Sequence, residues 1–344
     1  MKRKTILITG GSGFIGSNLV EHFISKGFRV INIDKFSYAS TADRFKSFFK
    51  NKNYVFIKNN VANYVKLMTI FKKYKPSVIF NLASETHVDR SIDDPFEFIN
   101  NNLNISLILS LILRELKLKY NKKFKFIQIS TDEVYGTNNG KSSVENSRYD
   151  PRSPYAASKA ASDHIFKSFN YTYGIPLIIV NCCNNYGPFQ FPEKFIPTII
   201  LNLKKNKPVP LYGKGKNIRE WIHVKDYCNA LEIIMKKGID GENYNVGTGK
   251  RLDNKKMIML IYKEMNKLIK IKFNKSNCYK LVKDRPGHDK RYAINSNKLR
   301  NKLKWKPNID LKSGIKETIS WYLNNNKWLK YCYNKYKGER LGLR

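Results

Sequence analysis

Hydrophobic side chains along the chain fall into two alternating textures. Five runs, Thr5–Thr9, Val30–Ile33, Val78–Leu82, Phe124–Ser130 and Leu177–Val180, are short and nearly continuous. They are too brief for helices, and apolar residues on consecutive positions suit strands covered on both faces. Between them, Phe14–Ser25 and Asn104–Lys117 repeat apolar residues three and four positions apart, the spacing of one helical face. This alternation over the first 180 residues predicts βαβ units on a parallel sheet, because parallel neighbours need a crossover long enough to hold a helix. Beyond residue 181, glycine and proline break the pattern into short pieces, as in "NNYGPFQFPEKFIP" and "LYGKGKNIREWIHVKD". That texture suits a substrate-binding region better than a regular sheet.

The junction of the first strand and helix carries the first candidate chemistry. In "TILITGGSGFIGS", Gly10, Gly13 and Gly16 follow a strand and open a helix. Glycines there permit a tight turn, close approach of a pyrophosphate, and its seating at the positive end of the helix. A glycine trio alone also makes an ordinary turn, but Asp34 closes the second strand at the right distance. A carboxylate at that point accepts hydrogen bonds from ribose hydroxyls and repels a 2′-phosphate, which favours NAD over NADP. Lys35, next to it, works the other way, since an ammonium could meet such a phosphate. The fold class expected is α/β: a Rossmann-type doubly wound parallel sheet with a smaller, interleaved C-terminal substrate-binding domain. The NAD-binding part is expected over residues 1–181, with segments near 222–248 and 284–295 returning to it, and the substrate part mainly over 182–344.

Two further stretches add reactive groups. In "YAASK", Tyr155 and Lys159 lie four apart and share a helix face. An ammonium beside a phenol lowers the phenol's pKa towards that of a working base. Behind a dinucleotide loop this pair is the signature of the short-chain dehydrogenase/reductases, which Thr131 would complete. In "STDEVYG", strand Phe124–Ser130 delivers Thr131, Asp132 and Glu133 to the carboxyl edge of the sheet, where ligands of such folds bind. The competing reading of Asp132 and Glu133 is a solvated loop or a helix cap.

Composition changes this picture little. The 344 residues carry a formal charge of +37, but the lysines are spread along the chain without an arm or stripe. That distribution fits a compositional bias better than a nucleic-acid site, though it would favour an anionic small substrate. Five scattered cysteines make no disulfide scaffold, and the adjacent Cys182 and Cys183 lack the gap of a chelating pair, so no metal site is expected. The basic start is followed by too short an apolar run for a signal peptide. No stretch looks like the roughly 20 apolar residues of a membrane helix. A soluble, cytoplasmic protein is expected, with no specific nucleic-acid or membrane partner.

The order of the motifs is more specific than any one of them. "TGGSGFIGS", "NLASETHVDRS", "STDEVYG", "YAASKAASDH", "NNYGPFQFPEKFIP", "GKGKNIREWIHVKD", "YNVGTG" and "DRPGHDKRYAI" occur in sequence from about residue 4 to residue 325. The chain thereby resembles the dTDP-glucose 4,6-dehydratase family of extended short-chain dehydrogenase/reductases, which are hydro-lyases. The resemblance implies a bound NAD that accepts hydride from sugar carbon 4 and returns it to carbon 6. Tyr155, with Lys159 and Thr131, would deprotonate the carbon 4 hydroxyl. Glu133 would take the carbon 5 proton, and Asp132, kept protonated, would donate to the departing carbon 6 hydroxyl.

The cofactor site implied comprises Gly10, Gly13, Phe14, Ile15, Gly16, Asp34, Lys35, Asn60, Val61, Leu82, Ala83, Thr86, Asn101, Tyr155, Lys159 and Asn185. The nucleotide-sugar would meet Thr86, Thr131, Asn184, Lys194, Arg219, Asn254, Arg285 and His288, the two arginines suiting a diphosphate through paired bonds. A homodimer pairing through helices near 95–118 and 154–170 is also implied, as is supply of deoxysugar precursors of the rhamnose type. Three positions depart from the family pattern: "NNV" stands for the usual "GDI", Asn181 for an arginine, and Ser84 for an alanine. The choice between thymine and uracil in the substrate stays open at this level. A 4-epimerase, which needs no acid pair, and a catalytically silent nucleic-acid binder are the alternatives.

Overall fold

A computed structural model describes residues 4–40, 43–45, 48–138 and 140–335. Its first half builds a sheet from β1 (Thr5–Thr9), β2 (Arg29–Asp34), β3 (Tyr54–Lys58), β4 (Val78–Asn81), β5 (Lys125–Thr131) and β6 (Ile178–Cys182). The helices between them are α1 (Phe14–Ser25), α2 (Tyr64–Tyr74), the short α3 (Val88–Asp93), α4 (Pro95–Leu118) and α5 (Pro154–Tyr173). Alternate strand residues feed two cores. Ile6 and Ile8 join Phe23 of α1 on one face of the sheet, while Leu7 and Ile31 join Leu109 and Leu113 of α4 on the other. This two-sided burial is why the strands read as continuous apolar runs.

The second half weaves two bodies together. The chain continues through β7 (Asn184–Tyr186), α6 (Phe195–Lys204), β8 (Val209–Tyr212), β9 (Ile218–His223), α7 (Val224–Lys237), β10 (Asn243–Val246) and β11 (Arg251–Asp253). It ends with α8 (Asn254–Met265), β12 (Tyr279–Val282), α9 (Asn297–Leu303), α10 (Leu311–Asn324) and α11 (Asn326–Lys335). Strand β10 pairs with β6, completing a seven-stranded parallel sheet of order β10-β6-β5-β4-β1-β2-β3. A three-stranded sheet, β11-β9-β7, and a two-stranded one, β12-β8, belong to the other body. The core of that body gathers Ile199 and Ile200 of α6, Met257 and Ile261 of α8, and Ile319 and Tyr322 of α10.

Between β1 and β4 the strand order reverses: one arm runs outward through β2 and β3, the other through β5, β6 and β10. The loops leaving those two strands splay apart and open a crevice at the carboxyl edge of the sheet.

Helix α4 corrects two expectations. It begins at Pro95, nine residues before the periodic segment, with Asp94 capping the Glu97 N–H at 3.0 Å. Its first turns, "PFEFINNNL", leave Phe96 and Ile99 exposed and bury Asn102, which hides the period. At 24 residues it is also long and apolar enough, by length and composition, to cross a bilayer. In this fold its apolar face, including Ile105, Leu109, Ile112 and Leu113, lies in the core. Interior helices of α/β proteins meet the same criterion.

Candidate active site

The loop after β1 is shaped by what its glycines exclude. Gly10 has φ +67°, and a Cβ there would stand 2.7 Å from the Ala83 nitrogen. A Cβ at Gly16 would collide with the Gly10 carbonyl oxygen. At Gly13, the residue before α1, a Cβ would meet only the Gly10 oxygen at 3.5 Å, so that side faces open space. Turn and helix packing thus account for two of the glycines, and room at the helix N-terminus for the third. Asp34 is buried beside this loop. Its carboxylate accepts from the Ser12 N–H at 2.9 Å, the Phe36 N–H at 2.8 Å and the Ser40 hydroxyl at 3.2 Å. Lys35 pairs with Glu85 at 2.8 Å.

Of the residues expected at the cofactor, Gly10, Gly13, Phe14, Ile15, Gly16, Asp34, Lys35, Val61, Leu82, Ala83, Thr86, Tyr155, Lys159 and Asn185 line this cleft. Asn60 and Asn101 are not among them. Asn60 is exposed and its side chain accepts from the Ala62 N–H at 3.0 Å, closing its own turn. On α4, Asn102 is the inward residue where Asn101 was expected. Asn102 accepts from the Glu85 N–H at 2.8 Å and donates to the Ser158 hydroxyl at 2.8 Å. The Ser84 hydroxyl joins this knot, 3.1 Å from the Asn102 carbonyl oxygen, which gives that departure a structural role. Asn181 likewise ties β6 to β5 by donating to the Thr131 carbonyl at 3.2 Å.

A second cleft opens on the other body, lined by Thr86, Asn184, Lys194, Arg219, Asn254, Arg285 and His288 of the residues expected at a nucleotide-sugar. Thr131 lines the first cleft instead. The two clefts share Thr86, Glu133, Asn184, Glu193 and Lys194. Glu133 therefore stands where they meet.

The adjacent acids occupy different surroundings. Asp132 is 3% exposed, with one oxygen 3.4 Å from the Thr131 hydroxyl and the other without a hydrogen-bond partner. Burial first, and then the Glu133 and Glu220 charges, push its carboxyl well above the usual range. Glu133 is also raised by burial, but Arg285, Arg219 and Lys194 all pull it back. The Tyr292 hydroxyl reaches it at 3.3 Å. Neither the solvated-loop nor the cap reading of the pair survives: both acids lie within a single short turn, Asp132–Tyr135, and it is Thr131 that caps it, accepting from the Glu133 N–H at 3.3 Å.

The phenol of Tyr155 corrects an expectation. Burial and the Glu133 charge hold its pKa well above the ordinary value. The Lys159 ammonium donates to the Ile129 carbonyl at 2.7 Å, and burial lowers its own pKa. Sharing a helix face does not by itself make Lys159 an activator of the phenol.

Among the cleft cations, Arg219 lies over the Tyr292 ring at 4.1 Å and donates to the Ile218 and Asp289 carbonyls at 2.9 and 3.0 Å. Arg285 bonds Asp89 at 2.8 Å and keeps its Nε without a partner. Lys194 donates to the Thr86 carbonyl at 2.9 Å. His288, 2.6 Å from Asp284, is held down to about 4 by burial and by Arg285 and Arg219, so it is neutral at pH 7. Among the described residues no cluster of His, Cys, Asp or Glu could hold a metal ion, and all five cysteines are buried free thiols.

Comparison with known proteins fits this architecture. Residues 7–318 match the family model for GDP-mannose 4,6 dehydratase. A probable dTDP-glucose 4,6-dehydratase of Sinorhizobium fredii is 43% identical over 98% of both chains. The chain belongs to the dTDP-glucose 4,6-dehydratase family. Among solved members, the Bacillus anthracis enzyme in complex with NAD superposes with a TM-score of 0.86 at 36% identity, covering 96% of this chain and 99% of that one. The Streptomyces venezuelae enzyme, also with NAD bound, gives 0.89 at 32% identity over 95% of this chain and 99% of that one.

Several residues at the clefts of this family member escaped the reading of its sequence. Glu193 accepts from Tyr38 at 2.8 Å and lies 3.4 Å from Arg90, whose guanidinium covers the Tyr38 ring at 3.9 Å. His87, Asp89 and Tyr292 line the second cleft. All but Tyr38 sit inside "NLASETHVDRS", "NNYGPFQFPEKFIP" and "DRPGHDKRYAI", the motifs that carry the resemblance, and that was the available signal.

Proposed function

We propose that the chain is an NAD-dependent dTDP-glucose 4,6-dehydratase, yielding dTDP-4-keto-6-deoxyglucose and water. The observation that carries this reading is Glu133 at the meeting point of two clefts, beside an Asp132 whose burial favours the neutral acid. The first cleft fits NAD: Gly13 leaves space at a helix N-terminus, Asp34 is fixed at the ribose position, and Asn185 keeps a buried carbonyl oxygen without a partner. Bound NAD supplies a hydride acceptor and, once reduced, the same hydride back. Tyr155 takes the proton of the carbon 4 hydroxyl, a role that needs its phenolate, which the Thr131 hydroxyl bond favours, with Lys159 on the same helix face. The resulting ketone acidifies carbon 5, and Glu133, whose charged form Arg285, Arg219 and Lys194 favour against burial, removes that proton. Asp132 gives its proton to the leaving carbon 6 hydroxyl, so one water departs; as the hydride returns to carbon 6, Glu133 gives its proton back to carbon 5, and the proton taken by Tyr155 balances the one Asp132 lost. Opposed protonation of neighbouring carboxyls is the general pattern of paired acid and base. Arg219 and Arg285 bind the diphosphate.

Incubation with dTDP-glucose or UDP-glucose and no added reductant should give a 4-keto-6-deoxy product; none from either substrate would refute the reading. The relatives' names favour thymidine. The two substrates differ by the thymine methyl and by the 2′-hydroxyl of the nucleoside; the methyl alone is worth about 1 to 3 kcal/mol in a pocket, so a preference of at least roughly tenfold is expected. The 4-epimerase alternative is tested with Glu133→Gln, which should barely affect an epimerase.

The same reading has the enzyme cytoplasmic, feeding rhamnose-type deoxysugar precursors, with residues 1–181 chiefly holding NAD and 182–344 chiefly the substrate. It also has the enzyme homodimeric. On α4, Phe96 is 77% and Leu107 43% exposed, apolar surface that a partner helix would cover. A solution mass near twice 40.2 kDa is the expected result.

A further inference from the structure

The rim of the cofactor cleft holds a charge arrangement that Asp34 alone does not explain. A carboxylate at the end of β2 disfavours a 2′-phosphate, yet Lys35 follows it directly, and an ammonium within reach of the ribose is what a phosphate would seek. Asp34 is turned inward, with hydrogen bonds from Phe36 and Ser40 of its own loop and from Ser12 of the glycine loop. Its negative charge and the Lys35 positive charge would leave the rim close to neutral. Glu85 alters that balance.

Glu85 accepts from the Lys35 ammonium at 2.8 Å, its own side chain 13% exposed against 40% for Lys35. The acid is held on a fixed loop. Its N–H donates to Asn102 at 2.8 Å, and its carbonyl accepts from the Ser84 hydroxyl at 3.0 Å and from Asn102 at 3.2 Å. Asn102 is fastened in turn to Ser158 on α5. The other two lysines of the cleft are occupied too, Lys159 by the Ile129 carbonyl and Lys194 by the Thr86 carbonyl. No arginine lines this cleft among the described residues. Every cation a second phosphate could use is thus already engaged, and the one nearest Asp34 is engaged by a carboxylate.

We infer that Glu85 is a specificity-determining residue of the cofactor site, which withholds Lys35 from a 2′-phosphate and so sets the preference for NAD over NADP. The inference rests on the reading of this cleft as a dinucleotide site. Ser84 and Asn102 serve it as positioning residues, by holding the Glu85 backbone where its side chain spans to Lys35.

The test is binding, not turnover. Dissociation constants of NAD and NADP are measured by calorimetry on nucleotide-stripped full-length protein, for the wild type, Glu85→Gln, Lys35→Met and the double variant. Glu85→Gln should raise NADP affinity relative to NAD by roughly tenfold, the scale of a hydrogen bond to a charged group. Adding Lys35→Met should cancel that gain, because the freed ammonium is its source. A Glu85→Gln protein that binds NAD normally and discriminates as strongly as the wild type overturns the proposal alone. A gain that persists in the double variant also overturns it. A folded wild type that binds neither nucleotide overturns the dinucleotide reading and the proposal with it.

Discussion

The two clefts are built on opposite principles. The first is made of backbone: glycines clear space before α1, and its lysines are spent on carbonyls or on Glu85. The second is made of side-chain charge, with Arg219, Arg285 and Lys194 converging from three distant segments on Glu133. A helix N-terminus grips a pyrophosphate with dipoles that carry no counter-charge problem of their own. Buried guanidinium groups must be stabilised while they wait, which is what Asp89 does for Arg285 and the Tyr292 ring for Arg219. The difference suits a cofactor that stays and a substrate that is exchanged each cycle.

The comparison breaks hardest at the shared residue. Glu133→Gln should cut dehydration by about 100- to 10,000-fold, the span of a general base, while reduced cofactor still accumulates on addition of substrate; stopped-flow absorbance separates the two steps. Next comes Arg285→Ala, which should weaken substrate binding by roughly ten- to a hundredfold and leave NAD binding unchanged, since the lost bonds are charge-assisted. Arg285→Lys should recover only part, for an ammonium lacks the planar fork. On the backbone side, Gly13→Ala should lower NAD affinity by about tenfold without a change in melting temperature, because its Cβ meets space meant for ligand. Gly16→Ala should instead melt early, its Cβ being driven into the Gly10 carbonyl.

A subtler effect concerns Asp132. Burial raises its carboxyl in the native state above the unfolded value of about 3.9, so the folded protein holds a proton the unfolded chain releases. The stability linked to that proton is full below about pH 4 and is lost as pH rises through the native pKa. Asp132→Asn should therefore raise the melting temperature at pH 7 by a few degrees and lose its advantage near pH 4. The smallest effect lies outside both linings: Asn63→Ala, removing the cap that accepts from the Lys66 N–H at 3.0 Å, should cost about 1 kcal/mol in denaturant titration.

What the sequence disclosed follows the same division. The glycine loop, Asp34 and strands such as Thr5–Thr9 were legible because their causes are local: a turn that only glycine enters, a strand buried on both sides. Chemistry that depends on distant segments was not. The contrast between Asp132 and Glu133 needs Arg219 and Arg285 brought from the far half of the chain. The state of Tyr155 was misjudged because the neighbour that matters to Lys159 is the Ile129 carbonyl on β5, a group no side-chain pattern reports. Asn60 and Asn101 do not line the cleft: Asn60 turns back onto the Ala62 N–H, and on α4 it is Asn102 that faces inward, onto Glu85.

Strand β10 has a consequence for how such a chain is made. The polypeptide leaves the large sheet at Cys182, lays down α6, β8 and β9, and only then returns with Asn243–Val246 to cover the open edge of β6. Asn245 fastens that return, accepting from the Tyr135 hydroxyl at 3.0 Å just past Asp132 and Glu133. During synthesis β6 is therefore a bare edge until some sixty further residues have left the ribosome. A chain stalled or cleaved in that interval offers its edge to other nascent chains, and quality control meets the protein there first.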